Sequence, residues 1–237
     1  MQREAVTLLR CGHPTTIATM FSDVFTRPSP APLVTYYEGD ARVELSGVTF
    51  SNWVMKTANF FNDLGGESDE ALALGLADTH PGHWVSLIWT AATWFAGGKV
   101  VAGVPEDAAF AVVGPDDARR GDVTVACSLH PLGLGFDAIP PGCADYADVL
   151  AQPDAAVEGM PAPTDPAWGD HSYTDLDSVE GRTTRLLFTQ PTCSWEFLRD
   201  ALVAPLRGGG SSVIAVGVDD ARVREIAVAE RASISEA

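Results

Sequence analysis

Positive charge is scarce in this chain. Against 32 aspartates and glutamates stand 15 lysines and arginines, a formal net charge of −17 over 237 residues. Nucleic-acid binding draws its affinity from clustered Lys and Arg that neutralise phosphates, so DNA and RNA are excluded as partners. Docking on an anionic membrane surface is disfavoured for the same reason. Long apolar runs are also missing. The least polar stretch, Trp84 to Gly98, carries no charge, but its length of about 15 residues is short of the roughly 20 a membrane span needs. It follows His80-Pro81-Gly82-His83 and ends in Gly97-Gly98-Lys99, which marks a buried core helix. Met1 to Arg10 shows no apolar run behind a basic cluster, so no signal peptide is expected. The four cysteines, Cys11, Cys127, Cys143 and Cys193, are widely scattered and read as free thiols in a cytoplasmic protein. There is no G-x-S-x-G nucleophile elbow, no paired CxxC and no HExxH.

What is present is a globular composition, 46% hydrophobic and 20% charged. A chain of this size buries roughly 70–75% of its unfolded surface and needs no staple. Ile17, Met20, Phe21 and Val24 form one apolar stripe of a first helix, with Thr15 or Thr16 as its cap, stopped by Arg27-Pro28-Ser29-Pro30-Ala31-Pro32. Leu33–Tyr37 and Arg42–Leu45 read as strands joined by a hairpin linker. A helix is expected from Thr49 to Asp63, with Phe50, Trp53, Val54, Thr57, Phe61 and Leu64 inward and Gly65-Gly66 ending it. Strands at Ala71–Leu76, Lys99–Val104, Ala109–Val113 and Val123–Cys127 alternate with the Trp84–Phe95 helix. That order implies right-handed crossovers and a parallel sheet covered by helices.

Residues 152–181 change character, with four prolines and many acids, and read as a long irregular connection. Regular pattern resumes with a strand at Arg185–Phe188 and a helix from Ser194 to Leu206, which Pro205 should kink or end. A strand at Ser212–Val218 and a helix capped by Asp219 or Asp220 complete the chain. Val223, Ile226 and Ala227 face inward on that helix, and residues 232–237 are expected to fray. The whole is read as one α/β domain: a first lobe over residues 1–150, the acidic connection, and a second strand-helix-strand-helix segment over 182–231.

Several constellations have bland readings that outweigh the chemical ones. Gly208-Gly209-Gly210-Ser211-Ser212 precedes a strand and does not open a helix, so it is a strand-entry turn and not a phosphate cradle. His80-x-x-His83 and Cys127-x-x-His130 have zinc-like spacing but lack the further ligands such sites need. Cys193 with upstream His171 has the residue types of a thiol–imidazole pair; a buried structural cysteine is the simpler reading. Trp53, Trp84, Trp89, Trp94 and Trp195 occupy core positions, whereas Trp168, in the acidic connection, is expected to be exposed.

Two segments carry a family resemblance. The first runs from Leu33 through TFSNWVMKTANFF and ALALGLADTHPGHWVSLIWTAATWFAGGKVVAG. The second is ALVAPLRGGGSSVIAVGVDDARVREIAVAER, residues 201–231. In that order they resemble the N-terminal domain of the adenylate-forming enzymes, the group of acyl-CoA synthetases, luciferases and peptide-synthetase adenylation domains. The middle piece, SLHPLGLGF followed by DYADVLAQPDA, is similar to a small group of uncharacterised actinobacterial proteins related to these enzymes. The resemblance implies a three-layer α/β fold, a mostly parallel sheet with helices on both faces, like a truncated N-terminal domain of that family.

The departures from the family pattern bear on function. The family holds ATP phosphates with a loop of serines, threonines and glycines ending Gly-x-Pro-Lys-Gly. At that place this chain has DPAWGDHSYTDLDSVEGRTTR, residues 165–185, with no lysine and with Asp170, Asp175, Asp177 and Glu180 where a triphosphate would sit. SYTDL reads as a remnant of the helix that follows the loop. Alignment back from Ala204-Pro205-Leu206 places Pro191, Ser194 and Phe197 on the family's acyl-pocket motif, with Phe197 filling a position that is glycine there. The adenine-contacting segment, the ribose-binding aspartate and the lid lysine fall beyond the last residue, so the resemblance carries over no catalytic residue. No metal or cofactor is expected. The expected ligand-binding residues are Pro191, Thr192, Cys193, Ser194 and Trp195, for a small acyl or nucleotide-like ligand. A partner-subunit role and a homodimer accompany this reading. An active split ligase completed by another chain, and a scaffold without a pocket, are the alternatives.

Overall fold

The computed structural model describes residues 28–67 and 70–235. The expected first helix and Cys11 lie outside the described residues. In chain order the elements are β1 (Pro32–Glu38), β2 (Ala41–Ser46), α1 (Gly47–Asp63), β3 (Ala71–Leu74), the single turn α2 (Leu76–Thr79), α3 (Trp84–Phe95), β4 (Lys99–Ala102), β5 (Phe110–Val113), β6 (Val123–Ala126) and β7 (Ala144–Asp145). After a short 3-10 helix at Tyr146–Ala151 come β8 (Pro166–Trp168), β9 (His171–Ser172), α4 (Tyr173–Ser178), β10 (Arg185–Thr189), α5 (Trp195–Leu198), α6 (Ala204–Gly208), β11 (Ser211–Val216), α7 (Asp220–Ala229) and β12 (Ser233–Ile234).

The mostly parallel α/β architecture is present and is distributed over two sheets. One has five strands in the order β12-β10-β11-β1-β2, the other seven in the order β7-β6-β5-β3-β4-β8-β9. All pairs are parallel except the β1–β2 and β8–β9 hairpins. Side chains alternate across a strand, and the burial follows that period. Tyr36, Phe188 and Ile214 of the five-stranded sheet join the main core, while Tyr37, Leu187, Val213 and Ala215 face the other way and pack with Ile226 of α7.

Helix α3 is the centre of the main core. Every one of its 12 residues is buried, including Trp84, Trp89 and Trp94. His83 caps its start, with Nδ1 accepting the Val85 N–H at 3.2 Å. At its end, Gly97 takes a φ of +84°, a left-handed turn that favours glycine. Helix α1 is started by Ser46, whose hydroxyl accepts the Thr49 N–H, and lays Phe50, Val54, Thr57 and Phe61 inward. The inward face differs from the expected stripe: Trp53 is only partly buried, whereas Ala58 and Phe60 are buried.

Of the two outcomes expected of Pro205, the helix is distorted ahead of the proline and is not ended by it. The chain widens into a π-helical turn at Arg199–Val203, in which the Ala204 N–H reaches back to the Arg199 carbonyl, and helix continues to Gly208. The wide turn accommodates a ring that has no N–H to donate and would crowd the carbonyl four residues back. The C-terminal segment does not fray at once, because Ser233 and Ile234 pair with Leu186 and Leu187 as an edge strand.

Helix α7 is tied to the five-stranded sheet by one carboxylate. Glu230 accepts from Tyr37 Oη at 2.6 Å, Arg42 Nε at 2.9 Å and Arg185 Nη2 at 2.6 Å. Burial alone would raise its pKa; the three donors outweigh that and bring it down to about 2. A carboxylate depressed in the folded state adds stability above its unfolded pKa and loses it as pH falls through the folded one. Glu230→Gln is therefore expected to lower stability at pH 7 by roughly 2 kcal/mol. In urea unfolding, the gap to the unsubstituted protein should narrow by roughly 1 kcal/mol at about pH 3.5. A gap independent of pH would remove Glu230 from this role.

Candidate functional site

Strand β10 ends at Thr189, and the chain turns through Gln190, at a φ of +46°, into Pro191–Ser194 and α5. This turn gathers the sequence-predicted residues but sends them different ways. Pro191 packs on the loop before α3: a Cβ on Gly82 would lie 2.5 Å from Pro191 Cγ, so only glycine fits there. Thr192 is exposed, and its carbonyl accepts the Ser194 N–H at 2.9 Å. Cys193 is buried. Ser194 caps α5, accepting the Phe197 N–H at 3.3 Å. Trp195 lies outward, half-buried, with the His171 ring stacked on it at 4.4 Å and 13° between planes.

Trp195 and His171 form one wall of a cleft of about 490 Å³, also lined by Asp175, Glu180, Arg199 and Asp200. Of the five predicted residues only Trp195 lines it. His171, Arg199 and Asp200 were not singled out for it, because no local pattern announces that the β8–β9 hairpin and α5 meet. Arg199 is bound to Asp200 through two contacts of 2.7 Å. Its charge is thereby committed, and the lining is acidic.

The segment expected at the family's phosphate-loop position forms β8, β9 and α4. Trp168 pairs with Val100 in the seven-stranded sheet and is buried, correcting its expected exposure. Gly169 makes the hairpin turn at a φ of +55°. Tyr173 Oη donates to the Gly98 carbonyl at 2.7 Å, and the Trp94 indole N–H donates to the Ala167 carbonyl at 2.9 Å. These two bonds fasten the segment to the end of α3.

Five of its main-chain amides, those of Gly169 and of Ser172 to Asp175, are bonded to the chain's own oxygens. Gly169 N–H donates to the Val100 carbonyl, Tyr173 N–H to Asp165 and Thr174 N–H to Pro163, at 3.0, 3.0 and 2.8 Å. Ser172 N–H donates to Asp175 Oδ2 at 2.7 Å, and Asp175 N–H returns to Ser172 Oγ at 3.3 Å, a reciprocal capping box. The backbone N–H of Ser172, then its hydroxyl, holds the Asp175 carboxyl below the usual carboxylate range. The start of α4, where an anion would be attracted, thus holds the chain's own carboxylate. Of the other acids, Glu180 lines the same cleft, and Asp177 faces Arg207 at 3.5 Å.

The remaining candidates resolve simply. Phe197 is buried with its ring edge-on to Phe188 at 5.7 Å. His171 stacks on Trp195 and makes no contact described with Cys193. Burial, with Asp78 adding to it, pushes the Cys193 thiol up to about 12, opposite to an activated nucleophile. Burial, reinforced by His80, pushes His83 down to about 3, as suits a neutral ring serving as a helix cap. Among the described residues no group of three or more His, Cys, Asp or Glu is placed to hold a metal. Nor is any helix among them long and apolar enough to cross a membrane.

No protein-family profile matches the chain. A Mycobacterium tuberculosis protein, designated only by membership of a numbered family, is 32% identical over 151 residues, 58% of this chain and 60% of that protein. Among solved structures, an acyl-CoA synthetase of Brucella canis superposes with a TM-score of 0.67 at 13% identity, covering 92% of this chain and 46% of that one. An acetoacetyl-CoA synthetase of Streptomyces lividans gives 0.68 at 16% identity over 91% of this chain and 41% of that one. An amide bond synthetase of Marinactinospora thermotolerans gives 0.65 at 17%, with 92% and 48% covered. The chain has the fold of part of these adenylate-forming enzymes, as the resemblance implies, and spans less than half their length.

Cys127, Cys143 and Cys193 are unbridged; the first and last are buried, and burial raises both thiols. Under native conditions at about pH 8, a thiol reagent should modify Cys143 and leave Cys127 and Cys193 intact by peptide mass mapping. Rapid native modification of Cys193 would contradict its placement.

Proposed function

We propose that this chain is a non-catalytic relative of the adenylate-forming enzymes, which holds a small acyl or nucleoside-like group beside Trp195 without gripping a triphosphate. The observation that carries this reading is that the amides of Gly169 and of Ser172 to Asp175 are bonded to the chain's own oxygens, with a carboxylate at the start of α4. Gripping phosphate there would need free N–H groups and positive charge. Residues 165–185 contain no lysine, and Arg199 is bound to Asp200.

With Asp200 and Arg199 paired to each other, the lining acids Asp175 and Glu180 favour a group without phosphate charge. Trp195 and His171 supply a stacked aromatic wall for a flat or chain-like apolar moiety. Pro191–Ser194 act in this reading as the turn that sets the indole in place. The free thiols among the described cysteines support a reducing, cytoplasmic setting. A partner-subunit role, as a homodimer or with another chain, is compatible with the same site.

A second reading, an active ligase completed by further polypeptide, has its own support: the chain covers 41–48% of the adenylate-forming structures it resembles. Isothermal titration with magnesium ATP and a pyrophosphate-release assay with fatty acids separate the two. The chain alone should show neither heat of ATP binding up to about 1 mM nor pyrophosphate above background. A thermal-shift panel of fatty acids, acyl-CoAs and nucleosides should give at least one stabilising hit that Trp195→Ala abolishes. Micromolar ATP binding, or pyrophosphate release, would favour the ligase; a panel without hits would remove the ligand-binding role.

A further inference from the structure

The connection between β6 and β7 lies across an aromatic cluster remote in sequence. Beneath it Trp53 meets Trp84 edge-on at 5.4 Å and Tyr146 at 5.9 Å. Gly133 sits directly on Trp53, where an added Cβ would lie 2.8 Å from Cη2. The cover is pinned at a few points. Ser128 Oγ donates to the Leu134 carbonyl, the Leu132 N–H donates to His130 Nδ1 at 3.1 Å, and the Phe136 N–H donates to Asp145 Oδ2 at 2.9 Å.

Three features here run against ordinary packing. The Trp84 indole N–H is buried without an acceptor among the described residues, although the whole residue is only 2% exposed. Leu129 holds a φ of +60°, which a branched residue without local compensation avoids. Leu132 and Leu134 are 76% and 52% exposed, on either side of the glycine that sits on Trp53. A void of about 10 Å³ remains between Trp84, Tyr146 and the loop, room for about one water. Local conflicts of this kind concentrate at functional sites, where strain is retained for a purpose.

We propose that the Ser128–Phe136 loop is the cover of a second ligand site, which takes a small flat aromatic molecule bearing a neutral carbonyl. The ring enters among Trp53, Trp84 and Tyr146, and the carbonyl accepts the unpaired Trp84 N–H. Displacing Gly133 from Trp53 opens the site, and Leu132 and Leu134 fold inward over the bound ring. A neutral carbonyl suits the site better than a carboxylate, because the buried Asp145 anchors the loop close by. This site shares no lining residue with the cleft beside Trp195, so it stands or falls independently of the reading of that cleft.

Calorimetric titration of the full chain with benzamide tests this. Saturable binding below about 10 mM is expected. Trp84→Phe keeps a ring and removes the donor, and should weaken the affinity about tenfold. The exposed pair Leu132→Ser/Leu134→Ser should leave the melting temperature unchanged and weaken binding several-fold. No saturable binding to the unsubstituted chain overturns the proposal, as does equal affinity in Trp84→Phe. If Trp84→Phe does not fold, unchanged affinity in the double-serine variant overturns it instead.

Discussion

The burial of α3 on every side is the constraint on which the rest of the architecture depends. A helix with no solvent face must be surrounded, and here α1 and strands of both sheets share its core. Its ends are the only places where the chain can attach polar structure to it, and both are used. At the start, His83 spends a ring nitrogen on the Val85 amide, and the preceding Gly82 receives Pro191. At the end, Trp94 and the Gly98 carbonyl hold Ala167 and Tyr173. The turn carrying Trp195 and the acidic segment carrying His171 are therefore both anchored on one rigid element before they meet each other.

That arrangement gives the start of α4 a particular chemical character. In a helix start that binds anions, the first amides are left open to a ligand. In α4 the donor and the acceptor are supplied by the same short stretch, Ser172 and Asp175. The carboxylate satisfies the amide and contributes the negative charge that the helix start favours. A phosphate approaching this point would meet a filled position and like charge from Glu180 as well. The fold shared with acyl-CoA and amide bond synthetases and a segment whose amides are bonded to the chain's own oxygens thus coexist in one chain, which is the basis of the function proposed.

Much of the framework was legible because its signals are local. The α3 boundaries follow from an uncharged run bracketed by Pro-Gly and Gly-Gly, and the β1–β2 hairpin follows from Glu38-Gly39-Asp40 between apolar strands. The turn at Gly208–Gly210 was likewise read correctly, since glycine at a φ of +76° precedes β11. The errors arise where distant residues decide the outcome. Trp168 looks like a loop residue until β4 offers Val100 as a partner. The cleft could not be read from the sequence at all, because His171 and Trp195 are distant in sequence and meet only in the folded chain. Ser172 and Asp175 did carry a signal, a Ser-x-x-Asp spacing that announces a capped helix start, within the SYTDL remnant already suspected of being helical.

The central claim is that the amides of Gly169 and of Ser172 to Asp175 are closed to anions by the chain's own oxygens. Two-dimensional amide NMR of the isotopically labelled chain, titrated with magnesium pyrophosphate, reports on those groups one by one. The account predicts that these resonances stay in place while only general salt effects appear elsewhere. Saturable shifts concentrated on Gly169 and Ser172–Asp175 would contradict it.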